Sequence, residues 1–415
     1  MGFGKSVVAL TAISELLADG VLHKVLVIAP VKVANTVWAP EADKWEHTHH
    51  LRINVATGSE KVRVAACEAE GDILVINFEN LPWFFKKYGR NHGCDGLIVD
   101  ELSRMKSSGG SQFKALRHKL PCFTWRVGMT GTPVSENYLG LFAQCMIVDS
   151  GARLGTNMEV FKRKYFYPTD YNGYNWDIRE ERKLLDAVAD VVWVADDYTG
   201  NLPDLIKTTI PVSMPDQGWD VYTTLAKDGI AEGVEAVNAA VLSGKLQQIA
   251  SGFLYGEDEG EVIPIHDAKI RVCQRLVDEC RGNVIIAYWF QHDRDALQQV
   301  FPFADNLGGG VNAAETDRII DRWNSGETKV LLVHPKTGGH GLQLEKGGAD
   351  VIFYGPVWSR DLFDQLVARL WRRGQLKKVH VKTLVTVGTV DELVVTRSGS
   401  KKQFYERFTK HLKSV

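Results

Sequence analysis

Two α/β domains with parallel sheets are predicted for this chain, with a mainly helical insertion between them, and three observations predict them. Continuous apolar, β-branched runs alternate with helical stretches in the first part: KVLVIAP at 24–30, DILVIN at 72–77, DGLIVDE at 95–101 and TWRVGMTG at 124–131. Runs that are apolar throughout read as strands buried on both faces, and alternation with helices implies parallel pairing. A second series of the same kind returns with NVIIAYW at 283–289, KVLLVHP at 329–335, ADVIFYG at 349–355 and KVHVKTLV at 378–385. The length of 415 residues also exceeds what one ordinary core holds.

Taken in order, residues 1–154 form the first domain. Residues 155–265 change character to charged helical stretches such as REERKLLDAVADVV, then reach the acidic, glycine-containing GEDEGEVIP, and are expected to be a helical insertion and linker. Residues 266–395 form the second domain, and 396–415 a basic tail. No long internal repeat is found.

A hydrophobic fraction of 45% and a charged fraction of 24% are those of ordinary globular protein. No run approaches the ~20 apolar residues of a membrane span, and Lys5, Glu15 and Asp19 interrupt any leader-like start, so a cytoplasmic protein without a membrane partner is expected. Six cysteines without a C-x-x-C pair support neither a zinc ribbon nor a disulfide framework. The run HTHH at 47–50 lacks a second ligand cluster, and no structural metal is expected there. A net charge of −2 excludes a protein coated in positive charge, but the charge is uneven. From Leu102 to Ser135 there are six basic residues and no acidic one, and from Arg397 to Val415 six basic residues against Glu406 alone. Either run could be a solvated face or a phosphate-binding one.

The chain begins MGFGKS, which is the closing half of a phosphate-binding loop. A glycine-rich turn before a helix is common, so this half alone is weak. LIVDE at 97–101 strengthens it by delivering two carboxylates at the C-terminal end of a strand. Phosphoryl transfer needs such a set: backbone N–H groups at Gly2 and Gly4 with Lys5 for the phosphates, Ser6 and Asp100 for Mg²⁺, and Glu101 to orient or deprotonate water. ATP and Mg²⁺ are the expected cofactors.

In order and spacing, MGFGKS, VLVIAPVKVANTVWAPEADKW, LIVDELSRMKS, VGMTGTPVSEN, VLLVHPKTGGHGLQL and QLVARLWRRGQ resemble motifs I, Ia, II, III, V and VI of superfamily 2 helicases. They look most like the Swi/Snf-type branch, particularly its small bacteriophage-encoded members. The resemblance covers about residues 1–395 and implies two RecA-like P-loop domains and host cytoplasm as the location. It also implies that Arg369 and Arg372 act as arginine fingers and that Gln375 contacts the nucleotide. Three apart, the two arginines would project from one helical face. Thr130, Gly131 and Thr132, with Gly339 and Gly341, would couple nucleotide state to the rest of the motor. Pro30, Lys32, Thr36, Lys106 and Lys336 would lie along the nucleic acid. Trp38 and Trp45, seven apart, would share a helical face and are expected in the core. Ser103 stands where many relatives have histidine, and Gln343 where asparagine is usual, departures that bear on coupling more than on hydrolysis.

The expected activity is therefore ATP-driven movement along nucleic acid, duplex DNA being the favoured track because this branch mainly translocates on double strands. Candidate protein partners are replication or recombination proteins. A non-catalytic nucleic-acid clamp with a disabled ATPase is the alternative, opposed by the retention of Lys5, Asp100, Glu101, Arg369 and Arg372. A P-loop kinase or transporter ATPase is disfavoured by the paired arginines on a second domain. In relatives a strand leads into the phosphate loop, and no residues precede Met1 to form it. An upstream start is expected, ahead of two other remedies, closing-up of the neighbouring strands or a strand donated by a partner chain. Without any of these, a slot would open beside the strand ending in Asp100, at ~1–3 kcal/mol for each buried unpaired group.

Overall fold

The computed structural model describes residues 4–134, 137–171, 173–195, 202–228, 230–231, 234–235, 239–258, 260–338 and 342–396. Two compact units divide at position 197.

The first unit is built on five parallel strands, β1 (Val25–Ala29), β2 (Ile53–Ala56), β3 (Ile73–Asn77), β4 (Gly96–Asp100) and β5 (Trp125–Met129), in the order β2-β3-β1-β4-β5. Because successive strand residues point to opposite faces, an all-apolar strand feeds two layers. Leu26, Ile28, Leu97 and Val99 enter one layer with Phe84, Phe113 and Phe142. Val25, Val27 and Ile98 enter the other with Ala9, Leu10 and Ile13 of helix α1 (Lys5–Ala18). Each such side chain contributes ~1.5–3 kcal/mol by leaving water.

The expected slot beside Asp100 does not form. Strand β4 is paired with β1 on one side and β5 on the other, and β5, half-exposed along most of its length, is an edge of the sheet. The Trp38 and Trp45 expectation also splits. After helix α2 (Val31–Thr36), helix α3 runs only from Trp38 to Ala42, so the two tryptophans do not share a helix. Trp38 is fully buried, whereas Trp45 is 43% exposed and its indole N–H donates to Glu41 Oε1 at 3.3 Å.

Residues 155–265 are shared between the units. Phe161 and Tyr165 of the helix Met158–Tyr165, with Leu184 and Leu185 of Glu181–Asp186, join the first unit's core beside Phe142. The Asn157 side chain caps the first of these helices, accepting from the N–H groups of Glu159 and Val160 at 2.9 and 3.2 Å. The strand Leu205–Val212, by contrast, pairs along its whole length with Val379–Thr386 in the second unit. That sheet is parallel throughout, in the order Asp305–Leu307, Val330–Val333, Val284–Ala287, Asp350–Phe353, Val379–Thr386, Leu205–Val212. Among the described residues no helix is long and apolar enough to cross a membrane.

An ion pair buried on both sides, Lys269 Nζ to Asp391 Oδ2 at 2.6 Å, ties the helix Ala268–Glu279 to the segment after the Val379–Thr386 strand. Nearby, Asp293 is 2% exposed, and its Oδ2 accepts from Phe290 N–H at 2.9 Å. Burial pushes its carboxyl up to about 7, against the pull of the Phe290 and Trp289 N–H groups and Lys269, with Asp391 adding to the rise. A carboxyl raised above its unfolded value binds its proton in the folded state first, so stability declines as pH climbs from ~4 to about 7. Asp293→Asn removes that slope. The variant is expected to melt ~2–5 °C above the parent at pH 8 and level with it at pH 4, measured by thermal denaturation across that range.

Candidate functional site

Parallel strands place their functional residues at their C-terminal ends, and the first unit gathers its site there. Gly4 caps α1 in the left-handed conformation, φ 70°, which glycine adopts without steric cost. Helix α1 has no acidic residue in its first turn and no side-chain cap, so its leading N–H groups keep their capacity for an anion. Lys5 and Ser6 are the first two residues of this helix. Gly2 lies outside the described residues.

Asp100 ends β4 opposite this helix start. Burial pushes its carboxyl up to about 6, and the neighbouring Glu101 charge acts the same way, while Lys5 pulls it down. A carboxylate so placed, short of compensating positive charge beside a second carboxylate, fits a divalent cation. Ser6 and Asp100 are the residues that would hold Mg²⁺, and the bound ion would supply charge neutralisation at the phosphates.

Glu101 is a non-glycine residue in the left-handed region, φ 69°. A short 3-10 turn, Leu102–Met105, follows and buries Leu102 and Met105, which holds the backbone in this conformation. The turn brings two hydroxyls to one carboxylate oxygen: Ser103 Oγ donates to Glu101 Oε1 at 2.7 Å, and Thr130 Oγ1 to the same atom at 3.3 Å. Thr130 Oγ1 in turn accepts from Thr132 N–H at 3.1 Å. Strand β5 thus delivers the Thr130–Gly131–Thr132 segment directly to the glutamate at the end of β4.

The other expected residues are distributed differently. Pro30 is buried, offers no N–H, and caps α2 by accepting from Ala34 N–H at 2.8 Å. The exposed Thr36 turns its hydroxyl onto Lys32 O at 2.9 Å, within its own helix. Lys106 is exposed. Lys336 is also exposed, with Nζ 5.5 Å from the centre of the Trp289 ring, which stacks on His334. Gly339 and Gly341 lie outside the described residues.

Arg369 and Arg372 are half-buried, but the helix Arg360–Leu370 ends between them. Their shared helical face is therefore not formed; Arg372 stands past the helix end, where its Nε is 3.9 Å from Glu345 Oε2. Gln375, expected at the nucleotide, is 6% exposed and occupied within the second unit. Its amide N donates to the carbonyls of Glu345 and Gly348, each at 2.9 Å, and its Oε1 accepts from Lys377 N–H at 2.9 Å. It braces the chain after the arginine helix.

The sequence reading did not foresee that the Ser103 hydroxyl bonds to Glu101. There was a signal, since Ser103 departs from the usual histidine beside the paired carboxylates.

A phosphate-loop helix, paired carboxylates at a strand end and a second parallel-sheet unit with an arginine-bearing helix define a helicase-like nucleotide hydrolase. Residues 1–260 match the SNF2-related domain and residues 268–374 the helicase conserved C-terminal domain, and the chain belongs to the SNF2-related family of DNA-dependent ATPases. The protein p41 of Acyrthosiphon pisum secondary endosymbiont phage 1 is 31% identical over 100% of this chain and 94% of its own length. The DNA repair and recombination protein RAD54 of Oryza sativa subsp. japonica is 23% identical over 97% of this chain, which spans 47% of that protein. The SWI2/SNF2 ATPase core of Sulfolobus solfataricus, solved in complex with dsDNA, is 21% identical, with a TM-score of 0.42 over 100% of this chain and 91% of that one.

The bonding of Gln375 yields a test. Gln375→Ala strands buried carbonyls and is expected to destabilise the second unit by ~1–3 kcal/mol in urea unfolding, with affinity for a fluorescent ATP analogue little changed. Lost affinity at unchanged stability would return Gln375 to the nucleotide.

Proposed function

We propose that this protein is a translocase that moves along double-stranded DNA, driven by hydrolysis of ATP. The observation that carries the reading is the cluster at the end of β4: Lys5 acts on Asp100, and Glu101 beside it is bound by Thr130 of the adjoining strand. A disabled clamp would have no need of a catalytic carboxylate tied to its neighbouring strand, which favours the motor over the non-catalytic reading.

In this reading the N–H groups at the start of α1 and the Lys5 ammonium bind the phosphates, and Ser6 with Asp100 holds Mg²⁺. Glu101 orients water and accepts its proton. Arg369 and Arg372 neutralise charge on the transferred phosphoryl group. Thr130, with Gly131 and Thr132, reports the state of Glu101 to the rest of its unit, and Gly339 and Gly341 serve the same coupling in the second. The DNA contacts are to phosphates, through Lys32, the exposed Lys106 and Lys336 and backbone groups of the Pro30–Thr36 segment, and are independent of sequence. Duplex is favoured because the Swi/Snf-type branch moves mainly on double strands, and relatives of this chain include DNA repair and recombination proteins. Proteins of replication or recombination are the proposed partners, in the cytoplasm of a phage-infected host.

ATP turnover measured with duplexes of graded length, and triplex displacement as a readout of movement, test the reading. Glu101→Gln and Arg372→Ala are expected to lower DNA-stimulated turnover by ~100-fold or more while ATP binding changes only a few-fold. Lys5→Ala should weaken both. Hydrolysis by Glu101→Gln at the parent rate would overturn the assignment.

Duplex binding is expected to weaken steeply and linearly on a log–log plot against salt, and stimulation to follow duplex length over sequence. Tight binding to one short sequence with a flat salt response would exclude this track.

A further inference from the structure

The first unit has a half-open cavity of about 280 Å³, bordered by Ser103, which bonds to Glu101. Its polar wall is Ser103, Lys106, Ser107, Ser108, Thr132 and Asn137. Among the described lining residues there is one cation and no carboxylate, so the wall is a set of donors suited to an oxyanion. Two members have donor capacity to spare. The Thr132 hydroxyl is buried and has no partner among the described residues. Asn137 accepts from Leu139 N–H through Oδ1 at 3.0 Å, which leaves its amide N–H groups for a ligand. A phosphate group has the charge and the number of acceptor oxygens to satisfy these donors together.

Ser103 belongs to this wall and to the catalytic cluster at once. Its hydroxyl carries one proton, and that proton is given to Glu101 Oε1 at 2.7 Å. An anion in the cavity competes for the same proton. When Ser103 turns to the anion, Glu101 keeps only the longer bond from Thr130, at 3.3 Å. The carboxylate has then lost the shorter of its two tethers and is freer to swing toward water.

We propose that this cavity takes one phosphate group of the nucleic-acid track and that its occupancy is relayed to Glu101 through the single hydroxyl proton of Ser103. The inference rests on the reading of Glu101 as the base of a nucleic-acid-stimulated ATPase. Ser103 is then a positioning residue, and the histidine-to-serine departure gives this chain a one-proton relay.

The test compares the full-length parent, Ser103→Ala and Ser103→Thr for ATP turnover without DNA, with saturating duplex, and with inorganic phosphate in place of duplex. Ser103→Ala is expected to raise unstimulated turnover roughly threefold or more and to lower the stimulated-to-unstimulated ratio by a similar factor, while Ser103→Thr, which keeps the hydroxyl, restores both. Lys106→Gln should raise the duplex concentration for half-stimulation at least about threefold by removing a phosphate contact. A Ser103→Ala variant with the parent's ratio would overturn the relay, as would one whose two rates fall together without rescue by threonine. Stimulation of the parent by inorganic phosphate to the duplex level would assign the cavity to free phosphate and overturn the track as its source. Glu101→Gln separates the two levels: if it is inactive while Ser103→Ala stays fully coupled, the relay alone fails, and if it is active, the underlying reading fails.

Discussion

The structure of the first unit depends on how β4 ends. Its strand residues Leu97, Ile98 and Val99 are completely buried and it is paired on both sides, so its position in the sheet is fixed by hydrophobic burial and two parallel ladders. Immediately afterwards the backbone enters the left-handed region at Glu101, at a cost of roughly 1–2 kcal/mol for a residue bearing a Cβ. Only Glu101 and Ser150 do so among the described non-glycine residues. The burial of Leu102 and Met105 offsets that cost, and its result is a glutamate held by side chains from two loops instead of one pointing into open water.

This arrangement gives two adjacent carboxylates different chemistry. Asp100 is withdrawn from water, which raises its proton affinity, and the nearby Lys5 charge opposes that rise. Glu101 lies within reach of two hydroxyls, and its orientation is set by hydrogen bonds that other parts of the unit can alter. One residue is thus suited to static charge compensation and the other to regulation, although they are consecutive in a single strand-to-turn transition.

The central strands were legible in the sequence because burial on both faces leaves an unbroken apolar run, as in VLVIA and VLLV. Three strands of the two parallel sheets were not, nor were the short strands of the two-stranded antiparallel pairs. Ile53–Ala56 and Asp305–Leu307 are short edge strands, and Leu205–Val212 is an edge strand whose residues are mostly exposed, with Pro211 tolerated there because an edge leaves one side unpaired. Missing Leu205–Val212 and the short antiparallel pairs left residues 155–265 looking like one helical block, when Leu205–Val212 belongs to the second sheet. The proximity of Lys5, Asp100, Glu101 and Thr130 was legible from motif order, because a phosphate-loop helix and parallel strands bring their ends together. The bonds of Gln375 to buried carbonyls were not legible, because glutamine is equally able to bind a nucleotide or to satisfy carbonyls and only the tertiary structure reveals the partners it takes. The shared face of Arg369 and Arg372 failed because a spacing of three carries no meaning beyond the end of a helix.

Charge distribution completes the picture. A chain with a net charge of −2 gains no general attraction to nucleic acid, so any binding to phosphates must come from local fields. In the first unit the paired carboxylates end at Glu101, and the following stretch to Val134 contains six basic residues and no carboxylate. The change of sign therefore occurs at the same turn that bends the backbone. Ser103 and Lys106 line the cavity on the basic side of this turn and Ser103 bonds to Glu101, so in the proposed motor a single hydroxyl would stand between the anion of the track and the carboxylate.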